Sequence, residues 1–120
     1  YKIDDDKDLY EQIKKVIFVT NPPDAILAVN EIYAAHALKI ATERGLTIPD
    51  DIAIIGFTSG LISEFTSACL SSVVQHGYLM GRQCAELLIN RIDHTGPEEF
   101  QKEVISPNLK IRKSTKRELL

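Results

Sequence analysis

Two short apolar runs constrain this chain most, Ala25-Ile26-Leu27-Ala28-Val29 and Ile52-Ala53-Ile54-Ile55 leading into Gly56-Phe57, and Leu70 to Val74 reads as a third strand. Both apolar runs are bounded by turn residues, and neither alternates apolar with polar over its length. Runs of this kind suit strands buried on both faces, as in parallel sheets covered by helices. Between the first two, Asn30 is a good N-cap for a helix over about Glu31–Arg44. Its stripe is Ala34, Ala37, Leu38 and Ala41, and Gly45 closes it as a C′ residue. Strand, helix and strand in this order call for parallel pairing through a right-handed crossover.

The flanking segments fit the same class. Asp4-Asp5-Asp6 precedes Leu9, Ile13, Val16 and Ile17, one helical face with acids where the helix dipole favours them. Asn21-Pro22-Pro23-Asp24 breaks that helix. Residues 61–66 suit a short helical turn. Tyr78–Asp93 is the strongest helix, with Gly81, Cys84, Ala85, Leu88 and Ile92 on one face. Val104–Lys113 reads as a last strand with one wet face, and Pro107 marks an edge or bulge. The expected fold class is α/β with a mainly parallel sheet.

A length of 120 residues suits one domain. The net charge of −3 gives no general attraction to nucleic acid. Lys110, Arg112, Lys113, Lys116 and Arg117 make the tail basic, which a solvated strand edge explains. Cys69 and Cys84 stand fifteen residues apart without a CxxC pair, so both read as small core residues of a reducing compartment. His36, His76 and His94 lack metal-ligand spacing, and neither metal nor cofactor is expected. No apolar run has the length to span a bilayer. The chain starts at Tyr1 without Met, so a piece of a longer protein is expected.

Gly56-Phe57-Thr58-Ser59-Gly60 raises the question of chemistry. It is one residue type from the nucleophile elbow G-x-S-x-G, but Thr is a rare nucleophile that usually leans on an N-terminal amine. It also lacks the Lys of a phosphate loop and the three glycines of a dinucleotide turn. Catalysis is therefore not expected. In open α/β sheets, ligands bind beyond the carboxyl ends of the strands. Asn30, Thr58 and Gln75 end the three expected strands, and their uncharged groups donate and accept hydrogen bonds as a sugar requires. Asn30 serves equally as an N-cap, and Thr58 and Gln75 as turn residues.

The stretches "PDAILAVNEIYAAHALKIATERGLTIPDDIAIIGF" and "LSSVVQHGYLMGRQCAELLINRI" resemble the C-terminal part of lac-repressor/galactose-repressor (LacI/GalR) regulators, over about residues 22 to 114. The resemblance implies a three-layer periplasmic-binding-protein-like lobe spanning residues 1–120, with the N-terminal helix-turn-helix absent from this chain. It implies a cytoplasmic regulator that binds a sugar-like effector between two lobes and contacts operator DNA as a homodimer. A periplasmic sugar receptor for transport is the alternative that shares the fold. Asn30, Thr58 and Gln75 match the family's effector contacts. Glu31 replaces the usual Asp after Asn30, and Thr58 replaces a carboxylate. Ile32, Tyr33, Ala35 and Ala41 align with a helix that often forms the dimer interface; packing on their own sheet explains them equally. The strand Leu70–Gln75 and helix Tyr78–Asp93 would belong to the other lobe, and the last strand would return. The helix's apolar stripe would dock on that other lobe, and left uncovered it is expected to dimerise or swap elements. Effector binding by these residues alone is expected to be weak or absent.

Overall fold

The first helix begins where a side chain can cap it. Asp8 Oδ1 accepts the Tyr10 N–H at 2.9 Å, and α1 follows over Leu9–Ile17. The computed structural model describes residues 2, 8–58, 62–66 and 68–117. The acids Asp4 to Asp6, and Ser59-Gly60 of the Gly56–Gly60 turn, lie outside the described residues. After α1 come β1 (Ala25–Ala28), α2 (Glu31–Glu43), β2 (Ala53–Phe57), α3 (Ile62–Phe65), β3 (Ser71–Val74), α4 (Gly77–Ile92) and β4 (Asn108–Lys110). Gly45 takes a left-handed φ of +71° just past α2, where a Cβ would be strained.

The sheet order is β1-β2-β3-β4. β1, β2 and β3 run parallel, with Ala28 opposite Gly56 and Phe57 opposite Val73, and β4 pairs antiparallel to β3. β3 therefore belongs to the same sheet as β1 and β2, not to a separate lobe. The final strand is also shorter than its apolar pattern: Pro107 lacks an N–H, so the ladder starts at Asn108 and ends at Lys110.

α2 forms the core with the sheet. Its Ala34, Ala37, Leu38, Ile40 and Ala41 are buried against Ala28, Ile52, Ile54 and Leu70, and α1 adds Ile13 and Ile17. The approach is close. A Cβ built on Gly56 would lie 3.2 Å from both Ala34 Cβ and Leu70 Cδ2. Tyr10 of α1 donates its hydroxyl to the Glu43 carboxylate of α2. That bond holds the Tyr10 pKa above its ordinary value of 10.0.

The other sheet face departs from the sequence pattern. Leu27 and Val29 are 65% and 68% exposed, and Phe57 is also exposed. The apolar runs therefore do not mean burial on both faces here, because α2 covers only the side that holds Ile54 and Gly56. A polar clasp ties the first residues of β2 and β3 to the tail. Ser114, fully buried, donates to Ile54 O and accepts the Ser71 N–H at 2.8 Å. Ser71 Oγ accepts the Arg112 N–H at 2.7 Å, and the Arg112 guanidinium donates to Leu70 O at 2.7 Å. The basic tail is thus partly structural.

α4 stands apart from this core and buries no residue. Cys84 is exposed on it, which corrects the reading of both cysteines as core residues; Cys69 is half-buried. The radius of gyration is 18.6 Å, against about 14 Å for a compact domain of this length.

Ser114→Ala strands Ser71 N–H and Ile54 O in the interior, and about 1–3 kcal/mol of stability is expected to be lost. Gly56→Ala crowds Ala34 and Leu70, which must give by a few tenths of an ångström, and a loss of about 1 kcal/mol is expected. Urea melts check both, and unchanged midpoints would contradict this account of the packing.

Candidate functional site

The parallel strands β1, β2 and β3 end on one edge of the sheet. The register pairs Ala28 with Gly56, so two residues further on Asn30 stands level with Thr58. Phe57 pairs with Val73, which places Gln75 one position beyond Thr58 on the neighbouring strand. The structure thus brings all three sequence-predicted residues to one carboxyl rim, where open α/β sheets hold ligands.

Each residue also carries a local task. Asn30 leaves β1 in extended backbone, and its Oδ1 accepts the Tyr33 N–H at 2.9 Å as the α2 cap. Its amide NH₂ is a separate donor on an exposed residue. The Thr58 N–H donates to Val73 O at 3.1 Å, extending the parallel ladder, and Thr58 is only 6% exposed. Gln75 is half-buried and precedes His76, whose left-handed φ of 55° turns the chain sharply into α4.

Glu31 adds a feature that residue pattern alone did not reveal. It is the first residue of α2, and its Oε1 is buried with no hydrogen-bond partner among the described residues. Its sequence signal was the departure from Asp after Asn30. No cluster of three His, Cys, Asp or Glu among the described residues could hold a metal ion, and no helix among them is long and apolar enough to cross a membrane.

A groove of about 550 Å³ lies elsewhere, along the free edge of β1, lined by Ile13, Val16, Pro23, Ile26, Leu27 and Tyr33 among others. It contains none of the three rim residues, and its lining is apolar except for Lys2 and the Tyr33 hydroxyl. It does not suit a polar ligand.

The expected dimer residues divide. Ile32 is 60% exposed, whereas Tyr33 packs on the core and lines the β1 groove. Ala35 is half-buried and faces a shallow depression with Leu38 and Thr42. Ile32 and Ala35 lie a turn apart on α2, and Tyr33 faces away from them.

These features define a mixed α/β lobe with a mostly parallel sheet and a polar rim at its strand ends. Residues 2–115 match the periplasmic binding protein-like domain family. The chain belongs to that family, on its LacI/GalR regulator branch. It is 33% identical over 112 residues to the HTH-type transcriptional repressor PurR of Haemophilus influenzae (strain PittEE), covering 92% of this chain and 33% of that repressor. It is similar to a LacI family transcriptional regulator from Arthrobacter sp. FB24 in complex with lactose, with 27% identity and a TM-score of 0.81, over 90% of this chain and 41% of that one. It is similar also to the transcriptional regulator CelR in its cellobiose complex, with 31% identity and a TM-score of 0.71, over 76% and 28%. The chain therefore spans about a third of the length of the curated relatives it matches.

The two roles of Asn30 separate experimentally. Asn30→Ala is expected to cost about 0.5–2 kcal/mol by loss of the α2 cap, while Asn30→Ser keeps the cap and costs little. Urea melts of the two variants check this; equal losses would mean that the cap geometry is not what holds α2.

Proposed function

We propose that this chain is the effector-sensing lobe of a DNA-binding transcriptional regulator and holds a small saccharide-like ligand at Asn30, Thr58 and Gln75. One observation carries the reading: three parallel strands deliver uncharged hydrogen-bonding side chains to a single carboxyl rim. Amide and hydroxyl groups both donate and accept, so they match the paired donor and acceptor character of sugar hydroxyls. The lactose and cellobiose bound by two structural relatives support the same ligand class. Thr58 gives a neutral contact, and the buried Glu31 Oε1 adds an acceptor beside Asn30.

The action is a population shift rather than chemistry on the ligand. A ligand that binds one arrangement of the regulator better than another shifts it by that difference in affinity, and the shift reaches the DNA-bound homodimer by linkage. Operator contact falls to a helix-turn-helix outside these 120 residues, and the regulator works in the cytoplasm. A transport receptor shares the fold, but the repressor names of the curated relatives favour regulation.

Amide NMR of the labelled chain, titrated with lactose and with cellobiose, tests the rim. Saturable shifts at residues 30, 31, 58 and 75 are expected, with weak affinity. Asn30→Ser and Gln75→Ala should each weaken binding by about tenfold, the loss of one good polar contact of about 1.4 kcal/mol. Shifts confined to the β1 groove, or unaltered by both substitutions, would move the site away from the rim.

A further inference from the structure

We propose that residues 112–117 form a strap across the amino ends of β1, β2 and β3, and that this strap opens as one unit while the α2 core stays folded. Its anchors fall on successive strands. The Arg112 guanidinium donates to Leu70 O at 2.7 Å and to Ser72 Oγ at 3.0 Å, at the start of β3. Ser114 donates its hydroxyl to Ile54 O, and its carbonyl accepts the Ile54 N–H at 3.0 Å, at the start of β2. Arg117 Nη2 donates to Asp24 O, just ahead of β1, and its Nε donates to Pro49 O in the loop that leads to β2, both at 3.0 Å. The candidate ligand rim lies at the other end of these strands.

The strap contains no apolar residue; its side chains are Arg, Lys, Ser, Thr, Lys and Arg. Ile111, which leads into it, is 65% exposed, and β4 before that is exposed throughout. The α2 core is the reverse case, with Ala34, Ile40 and Ala41 wholly buried. A hydrogen bond that opens into water is replaced by bonds to water, so its net cost is small, whereas apolar surface has no such replacement. Segments with few buried apolar contacts open locally before the core does. The strap therefore leaves first.

Two features make it one unit. The Thr115 N–H donates to Arg112 O at 3.4 Å and the Lys116 N–H to Lys113 O at 3.3 Å, which folds the segment into a turn. Ser114 at its middle is fully buried, with a guanidinium anchor on either side, so an anchor lost at one end is felt along the whole segment. When the strap opens, the Ile54 and Ser71 amides meet water, and Arg112, Lys113, Lys116 and Arg117 become available to a protease specific for basic residues. The state of the strap thus sets the sensitivity of the tail to processing.

Native-state hydrogen exchange by NMR on the full 120-residue chain tests this. The Ile54, Ser71, Arg112 and Ser114 amides are expected to share one degree of protection, at least about tenfold below that of Leu38 and Ala41 in α2. Arg117 is exposed, and Arg117→Ala removes only bonds made at the surface, so the fold persists. This substitution should lower the protection of all four amides by about tenfold and leave α2 unchanged. Trypsin cleavage after Lys113, followed by mass spectrometry, should accelerate by the same factor, because cleavage of a transiently open segment tracks its population. Equal protection of strap and α2 amides overturns the proposal, as does strap protection or a cleavage rate that Arg117→Ala leaves unchanged. No result depends on the ligand at the rim.

Discussion

The seating of α2 on the sheet is the contact on which the rest of this structure depends. Gly56 has no side chain and Ala34 has the smallest one, so helix and sheet approach until one added carbon would crowd both Ala34 and Leu70 at 3.2 Å. Interiors are packed too densely to absorb such a carbon without displacement. That contact holds β1 and β2 side by side under one helix. Cap and candidate ligand group are one residue because the strand ends where the helix must start.

The far end of the sheet is held differently. Ser71 and Ser114 are fully buried, and apolar packing alone cannot hold buried hydroxyls. Their bonds to Ile54, Arg112 and Thr115 satisfy them and tie the tail to β2 and β3 across more than forty residues of sequence. The strands that reach the rim are thus anchored in two ways, by close apolar contact with α2 and by a hydrogen-bonded clasp at the end opposite the rim. α4 shares in neither. The left-handed turn at His76 carries it away from the sheet, and its apolar stripe is exposed.

Much of this was legible in the chain itself. The α2 stripe, its Asn30 cap and its Gly45 terminus are local matters of periodicity and backbone freedom, and they stand where the pattern put them. The rim followed from strand ends plus parallel pairing. The errors share one cause. An apolar run reports that a strand can be covered, but not whether a layer is present to cover it. So Leu27 and Val29 read as interior and lie exposed, and Cys84 read as core and faces solvent. The resemblance implies another lobe for β3, whereas its pairing with β2 keeps it in this sheet, because lobe membership is a question of pairing partners.

The sequence by itself determined the elements, their parallel order, the family and the residue types that end each strand. These depend on interactions within a few residues or on the 3.6 and 2 residue periods of helix and strand. Only the tertiary structure decided that Tyr33 turns inward while Ile32 turns out, that Ser71 and Ser114 meet, and that Glu31 keeps a buried oxygen without a hydrogen-bond partner among the described residues. Each of those depends on which distant segments share space, and burial or satisfaction of a group belongs to that meeting rather than to the residue.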